Sequence, residues 1–491
     1  MLYGGLLQKV GWGRHSCLAV NPYNYSNGVL FVSLKPSARP TSLITPLKTG
    51  TDAAKHAVQR LSGRLQALEA IDHSAFRQRT LKAFGKELLP AEVVTHVVEQ
   101  VRARGDEALF ELTRKIDGAE LKTLKVSDSE RRSAFRRTDP AVRKALELSA
   151  DRVREYQQRL MPADIKPAFG KSRHVKTGLM WTPIQRAGLY VPAGTAPLFS
   201  SVIMLAVPAQ VAGVKELAIA TPCNKEGQVN DGILCACEIL GVKEIYKLGG
   251  AQAIAALAYG SKSVRAVDLI AGPGNLFVML AKRAVFGQVN VDGLFGPSEV
   301  LIIADRHANP RFIAADLLAQ AEHDTLASCV LLTDSADLAA RTAAELALQL
   351  ETLPRRDIAT VALKDWGLIL IAKNLDEAVE VANDLAPEHL ELMTRNPQKW
   401  IPRLRTAGAI FVGEHSTEPL GDYLAGPSHT LPTGGTAKAF SGVSVHTFMR
   451  RTSIIEADAK GLAALAAPIR VLAEAEGLDG HARAVKVRSD G

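Results

Sequence analysis

Residues 319–324 combine two side chains that can bind a metal ion at a helical spacing. Gln320 and His323 are three residues apart, so on a helix they share one face. An amide oxygen and an imidazole nitrogen make half of a site for a zinc-like cation. The other ligands must come from elsewhere in the chain, where Asp422 and His481 are candidates. Alone, a Gln-x-x-His pair is more often an ordinary solvated helix end.

Glu388 and His389 place a carboxylate next to an imidazole, a combination suited to proton transfer at neutral pH. Adjacent side chains diverge, so the two would act on different atoms rather than on each other. An acid beside a histidine is common on protein surfaces. Combined with half of a metal site in one α/β chain, the pair indicates an enzyme.

Two glycine-rich turns predict a nucleotide site. Gly249-Gly250 and Gly272-Pro273-Gly274 each follow a predicted strand and precede a predicted helix. Ligands bind at this edge of open α/β sheets, where glycines let backbone N–H groups approach a phosphate. Neither turn matches Gly-x-Gly-x-x-Gly, and each alone is equally an ordinary tight turn. Together they favour a nucleotide.

Other loops carry polar residues that could reach the same cleft. Ser298 lies just ahead of the strand that leads into the Gln320 helix, and His429 ends a Gly-Pro-Ser-His loop. Glu476 and His481 flank a short loop near the C-terminus. Loops of this kind are often only turns, and a histidine near the end of a chain is usually exposed. If His481 is a ligand, the tail must fold into a cleft of its own chain or of a partner subunit.

The elements that must position these residues alternate between short apolar strands and helices from residue 188 onward. Strands are predicted at 189–191, 216–220, 244–248, 267–271, 300–304, 329–333, 368–371 and 409–412, with helices at 200–211, 231–240, 251–259, 275–286, 310–323, 336–350 and 375–385. This alternation predicts parallel sheets covered on both faces. Two such runs, joined near Pro297, predict an α/β protein with two doubly wound, Rossmann-like lobes and a cleft between them.

The sequence also predicts how the chain divides. Residues 89–187 and 297–443 are expected to form the first α/β lobe, with the metal and catalytic residues, and 188–296 the second, nucleotide-binding lobe. A helical arm at 66–88 and a helical C-terminal tail at 444–491 complete the prediction. Residues 1–65 differ from the rest of the chain: residues 1–46 show no sustained period, and the first 50 contain no acid. We interpret them as a disordered or mis-assigned extension, with a targeting peptide as the alternative, and expect deletion of residues 1–60 to leave activity intact.

Composition excludes several classes of protein. The 491 residues suggest two to four domains, and 47% hydrophobic and 22% charged residues are ordinary for a globular protein in solution. No apolar run reaches the length of a membrane span. The net charge of +8 comes largely from the first 50 residues, so no basic stripe predicts nucleic-acid binding. Five cysteines without a Cys-x-x-Cys pair favour a reducing compartment, hence the cytoplasm.

These motifs together resemble the histidinol dehydrogenase family over roughly residues 71–487. The segments that carry the resemblance are 188–197, 249–256, 272–275, 296–300, 319–323, 386–390, 421–423, 429–433, 441–445 and 476–481. Each segment alone is weak evidence for the family, but the whole set in this order is highly specific for it. Ser428, the turn at 324–326 and a short segment at 289–295 depart from the pattern of the family without removing a chemical role.

The resemblance implies the activity of the family, the oxidation of L-histidinol through histidinal to L-histidine with two NAD+, which is the last step of histidine biosynthesis. One zinc ion per subunit would be held by Gln320, His323, Asp422 and His481, with His481 reaching across a homodimer interface. His389 would be the general base, and Glu388 would activate water. Substrate contacts would come from Ser298, His429 and Glu476 together with His389 and the metal ligands, and NAD+ contacts from Tyr190, Gln252 and Asn275.

Two alternatives remain open at this point. A related zinc- and NAD-dependent dehydrogenase of another small diol, such as a sulfonated propanediol, would keep the metal set and the Glu388-His389 pair. His429 and Glu476 favour histidinol over that diol. An inactive paralogue that serves as a binding protein is the other alternative, and the presence of every expected ligand and acid–base residue argues against it.

Overall fold

The computed structural model describes residues 43–64, 77–78, 80–81, 84–171, 173–193 and 197–489. Its strands form a six-stranded, a five-stranded and a three-stranded sheet. The strands are β1 (Leu47–Lys48), β2 (Ile165–Phe169), β3 (Lys176–Pro183), β4 (Arg186–Tyr190), β5 (Glu216–Thr221), β6 (Glu244–Lys247), β7 (Leu269–Ala271), β8 (Asn290–Val291), β9 (Glu299–Ala304), β10 (Ser328–Thr333), β11 (Gly367–Ile371), β12 (His389–Met393), β13 (Ala409–Val412) and β14 (Met449–Glu456).

The helices flank these sheets. They are α1 (Asp52–Ser62), α2 (Pro90–Arg104), α3 (Asp106–Leu112), α4 (Asp128–Arg137), α5 (Pro140–Arg159), α6 (Ser200–Ala212), α7 (Asp231–Ile239), α8 (Gly250–Tyr259), α9 (Leu276–Val285), α10 (Pro310–Ala321), α11 (Ala336–Leu350), α12 (Arg356–Trp366), α13 (Leu375–Leu385), α14 (Glu418–Tyr423), α15 (Ala459–Ala475) and α16 (Asp479–Ser489). A π-helical turn, Thr113–Asp117, follows α3, and short 3-10 turns occupy Pro397–Lys399, Ile401–Arg403, Thr436–Lys438 and Val445–Phe448.

The five-stranded sheet is parallel throughout, in the order β6-β5-β4-β7-β8. Strand order reverses between β4 and β7, which makes a topological switch point where ligands bind in open sheets. The central strand β4 is buried along its whole length. This lobe therefore has the doubly wound arrangement that the sequence predicts.

The helices before residue 160 belong to this second lobe, so the predicted grouping of 89–187 with 297–443 is wrong. Valines of α2 share one core with Tyr190 and with the alanines of α8. Residues of α4 and α5 share a second core with Leu189 and with α6. A parallel sheet needs cover on both faces; α2 joins α8 and α9 in one core, and α4 and α5 join α6 and α7 in the other. Short-range periodicity cannot show which sheet a helix covers.

The six-stranded sheet is also parallel, in the order β1-β11-β10-β9-β12-β13, with its switch point between β9 and β12. Helices α10, α11 and α12 cover one face. Helices α1 and α13 cover the other. The prediction of two parallel α/β lobes is confirmed.

Residues 43–64 are part of this lobe, which corrects the prediction of a disordered extension for that stretch. β1 pairs with β11 and so covers what would otherwise be an exposed sheet edge. Thr51 caps α1, and Ala54 and Leu61 of α1 are buried in the core. Most of the predicted arm at 66–88 lies outside the described residues, and residues 1–42 lie wholly outside them.

The predicted tail contains a strand before its helices. β14 pairs antiparallel with β3, which also pairs with β2, to form the three-stranded sheet. Val445 and Phe448, just ahead of β14, are buried in the core of the second lobe. The helical part of the prediction is confirmed by α15 and α16. None of the helices among the described residues has the length and apolar character needed to cross a membrane.

Candidate active site

His323, Glu418 and Asp422 form a cluster whose ligand atoms all lie within 4.8 Å of one another. His323 lies two residues beyond α10, and Glu418 and Asp422 are four residues apart on α14, so their carboxylates share a helix face. Imidazole nitrogen and carboxylate oxygen are ligands that a zinc-like divalent cation accepts. Burial raises the pKa of Asp422 to about 7 and that of Glu418 well above its ordinary value. A divalent cation would relieve this crowding of acids, so the residues fit a metal.

Gln320 belongs to the same cluster. The side chain is fully buried, and its amide nitrogen donates to the two Glu418 carboxylate oxygens at 3.1 and 3.2 Å in the orientation that satisfies this carboxylate. That orientation turns the amide oxygen away from the Glu418 carboxylate. The structure thus brings three of the four predicted metal residues together and adds Glu418, which the sequence analysis missed. The four-residue spacing of Glu418 and Asp422 was the available signal.

His389 is buried with one ring nitrogen held and the other without a partner. Its Nδ1 lies 3.0 Å from the backbone oxygen of Glu299, which can only accept, so Nδ1 carries the proton. The Nε2 lone pair is then free, and Nε2 has no hydrogen-bond partner within the described structure. His389, Asp422 and His429 line one cavity of about 210 Å³. An imidazole that lines this cavity and has an unprotonated, partnerless Nε2 is able to accept a proton.

The pKa of His389 is lower than expected for a group that transfers protons near neutral pH. Burial, the largest cause, together with the neighbouring His323 and His429, lowers the pKa of His389 to about 3. The imidazole is therefore neutral over the physiological range, which is the form that a base needs. Carboxylate oxygens of Glu388 and Glu418 each lie 3.8 Å from Nδ1 and could stabilise an imidazolium formed during a reaction.

Glu388 faces the same region from the residue before β12. Its carboxylate accepts a hydrogen bond from the backbone nitrogen of Glu299 at 2.9 Å. Burial, reinforced by the charges of Glu299 and Asp422, raises the pKa of Glu388 well above its ordinary value. In its ionised form, a carboxylate with a raised pKa is a stronger base, which suits removal of a proton from water.

His429 joins the two lobes at the site. Its Nδ1 lies 3.1 Å from the backbone oxygen of Asp422, and its Nε2 lies 2.9 Å from the hydroxyl of Ser201. Ser201 belongs to α6 of the second lobe and was not singled out from the sequence, where it reads only as the start of an apolar helix. Ser298 is half-buried in the loop before β9.

Glu476 and His481 are exposed, at the end of α15 and in the first turn of α16. Within the part of the chain that is described, His481 is not a member of the cluster formed by His323, Glu418 and Asp422. A single chain thus leaves both residues apart from the site that the sequence assigned to them.

Tyr190, Gln252 and Asn275 lie at the carboxyl edge of the five-stranded sheet. Tyr190 ends β4, and its hydroxyl accepts a hydrogen bond from the Gly250 nitrogen at 3.1 Å. Asn275 follows β7 and caps α9. The Gln252 amide nitrogen donates to Asp117 at 3.1 Å, and its buried amide oxygen has no partner in the described structure. Two of the three residues flank the switch point, as a nucleotide site requires.

The two sites occupy opposite edges of their sheets. His389 begins β12, and Gln320 ends α10 where the chain returns to the start of β10, so the metal cluster lies at the amino edge of the six-stranded sheet. Ser201 begins α6 at the carboxyl edge of the five-stranded sheet, and its bond to His429 shows that these two edges meet. The arrangement places the cluster of His323, Glu418 and Asp422, together with the His389 imidazole, beside the carboxyl edge of the five-stranded sheet.

Comparison with known proteins identifies the family. The chain matches the family model described as histidinol dehydrogenase over residues 86–489. It is 48% identical to the histidinol dehydrogenase of Halalkalibacterium halodurans, over 80% of this chain and 93% of that protein. It is 46% identical to that of Moorella thermoacetica, over 89% and 98% of the two chains. The crystal structure of histidinol dehydrogenase from Elizabethkingia anophelis superposes with a TM-score of 0.81 at 33% identity, covering 91% of this chain and 98% of that one. The chain therefore belongs to the histidinol dehydrogenase family.

Proposed function

We propose that this chain oxidises L-histidinol to L-histidine through histidinal, with one NAD+ consumed in each of two steps, in the cleft between its lobes. Membership of the family makes it an NAD-dependent oxidoreductase of histidine biosynthesis. The observation that carries the proposal is the partnerless Nε2 of His389, a residue that lines one cavity together with Asp422 and His429.

We propose that zinc is held by Gln320, His323 and Asp422 of one chain and by His481 of the partner subunit. Bound there, zinc would anchor the imidazole and amino nitrogens of histidinol and would take no part in electron transfer. Glu418 accepts the Gln320 amide hydrogens and so turns the amide oxygen toward the cation. Such supporting contacts hold metal ligands in place.

The side chains divide the chemistry between them. His389 Nε2 takes the proton of the substrate hydroxyl while the hydride leaves for NAD+, which supplies the redox chemistry. Glu388 takes a proton from the water that adds to histidinal, and the proton returns to the former aldehyde oxygen, which gives the hydrate that the second step oxidises. Ser298, His429 and Glu476 of the partner subunit contact the substrate, and Tyr190, Gln252 and Asn275 bind NAD+.

A homodimer is proposed because the tail presents apolar side chains to solvent. Val471, Leu472 and Val487 on α15 and α16 are each more than 60% exposed, and a second copy of the chain would cover them. His481→Asn is then expected to lower the zinc content per subunit. His56→Asn, at an exposed histidine on α1, is the matched control. Unchanged zinc in His481→Asn would remove this residue from the metal site.

The cytoplasm is the proposed location, because the four cysteines among the described residues are free thiols. No part of the proposal requires a nucleic acid or a membrane.

The direct test of function measures NADH formed from L-histidinol by the purified chain. Two NADH per histidinol are expected, with activity lost after chelation and restored by zinc. A sulfonated propanediol is assayed in parallel, and NADH from that diol alone would contradict the proposal. Glu388→Gln is expected to slow oxidation of histidinal more than that of histidinol; equal losses in both steps would count against its role with water.

A further inference from the structure

Arg64, two residues beyond the end of α1, is a fully buried arginine behind the proposed catalytic residues. Its guanidinium donates to the backbone oxygens of Pro297 and Leu326, both at 2.8 Å, and to the Glu299 carboxylate at 2.7 Å. A guanidinium can hold several acceptors in one rigid plane, which a lysine cannot do. Arg64 therefore ties together three separate points of the chain at the amino edge of the six-stranded sheet.

Glu299 connects Arg64 to the proposed catalytic pair. The backbone nitrogen of Glu299 donates to Glu388 at 2.9 Å, and its backbone oxygen accepts from His389 Nδ1 at 3.0 Å. The Glu299 side chain is held by Arg64 and by the Gly434 nitrogen at 3.0 Å. A displacement of Glu299 would therefore move the hydrogen-bond partners of the base and of the water-activating carboxylate together.

The other two acceptors border the rest of the site. Leu326 lies three residues beyond His323, in a turn that Asp324 closes by accepting from the Leu326 nitrogen at 2.9 Å. Pro297 immediately precedes Ser298. The guanidinium thus also fixes the loop that follows the metal cluster and the loop that enters β9.

We propose that Arg64 is a positioning residue for the oxidation of histidinol. It locks Glu299 and, through the peptide groups of Glu299, holds His389 Nε2 and the Glu388 carboxylate in their reactive geometry without touching the substrate. This inference rests on the roles proposed above for His389 and Glu388. It gives residues 43–64 a part in the activity, because β1 and α1 anchor Arg64 to the lobe. A deletion of residues 1–60 would remove that anchor, contrary to the expectation from the sequence.

The first test is Arg64→Met, which keeps similar bulk and removes the charge and the donors. We expect kcat to fall roughly 10- to 100-fold, the range that small misplacements of catalytic groups produce. KM for histidinol and for NAD+ and the zinc content should change little. Arg64→Lys should restore part of the lost kcat, since one ammonium cannot reach all three acceptors. Unchanged kcat in Arg64→Met, or a loss confined to KM or zinc, would overturn the inference.

Arg186→Met is the matched control. Arg186 is also buried, and it forms ion pairs with Glu216 and Glu244 at the amino edge of the five-stranded sheet, opposite the nucleotide edge. Its loss should lower the thermal midpoint while leaving kcat per folded enzyme unchanged. An equal loss of kcat in both variants would mean that Arg64 acts only through stability, against the proposal.

A double-variant cycle separates positioning from independent effects. If Arg64 acts through His389, adding Arg64→Met to His389→Asn should cost much less than Arg64→Met costs alone. The same fold-loss in both backgrounds would overturn the inference. Should Arg64→Met fail to fold, Arg64→Lys and Glu299→Gln test the same contact. Full turnover by His389→Asn would show that His389 is not the base, which contradicts the proposed function. If His389→Asn is inactive while Arg64→Met is fully active, only the role proposed for Arg64 is wrong.

Discussion

Replacement of His389 by asparagine separates the two functions of its ring. The amide nitrogen of asparagine lies at about the position of imidazole Nδ1, so it can keep the 3.0 Å hydrogen bond to the Glu299 oxygen. The partnerless Nε2 is lost. A positioned general base contributes about 10²- to 10⁴-fold in rate, and each factor of ten corresponds to about 1.4 kcal/mol. We therefore expect kcat to fall by that factor, or about 3–5 kcal/mol in the activation free energy.

The assay is the initial rate of NADH formation at saturating histidinol and NAD+, with zinc content and thermal midpoint measured on the same preparations. Both should stay near the wild-type values, because the hydrogen bond to Glu299 survives. Since burial lowers the pKa of His389 to about 3, protonation of this ring should produce no acidic limb in the wild-type profile of kcat/KM above about pH 5. Turnover of His389→Asn within about threefold of wild type would show that Nε2 is not the base.

Three further predictions follow from particular contacts. Glu418→Gln should weaken zinc binding roughly 10- to 100-fold, as loss of a group that orients a ligand does, and full zinc retention during dialysis against a chelator would contradict this. Burial raises the pKa of Asp117 from 3.8 to about 6. Ionisation of Asp117 therefore destabilises the folded state, and this cost is absent below about pH 4 and complete above about pH 6. Asp117→Asn should gain stability over the same pH window, by at most about 3 kcal/mol, and a gain independent of pH would argue against this. Gly272 has a φ of +130°, and a Cβ added there would lie 2.2 Å from the backbone oxygen of Tyr190, so Gly272→Ala should lower the free energy of unfolding by more than about 3 kcal/mol and raise KM for NAD+. Gly287 has a φ of +99° and no atom within 4 Å of an added Cβ, so Gly287→Ala should show the effect of backbone strain alone. Equal effects of the two substitutions would exclude the clash.

The sequence predicts the alternation of strands and helices because each element carries its own apolar period. The helices Ala336–Leu350 and Leu375–Leu385 and the strand Ala409–Val412 begin and end where the pattern predicts. Short elements without a sustained period, such as Leu47–Lys48, are visible only once they pair with a neighbouring strand. The same holds for the strand Met449–Glu456, which pairs with Lys176–Pro183 from the middle of the chain.

Residue types and local spacing likewise identify Gln320, His323, Asp422, Glu388 and His389 as the candidate site. Their chemistry, however, depends on neighbours that are distant in sequence. The tautomer of His389 is set by the Glu299 oxygen, 90 residues away. Ser201 reaches His429 across 228 residues, and Arg64 reaches Glu299 across 235.

The amino-acid sequence by itself thus determined the family, the parallel α/β lobes and most of the groups that can bind a metal or carry a proton, because those properties depend on local period and side-chain type. Only the tertiary structure decided which lobe the N-terminal helices cover, that Glu418 lies beside His323 and Asp422, and that Arg64 lies behind His389. These are long-range contacts, and burial in them sets both the pKa values and the hydrogen-bond partners of the site.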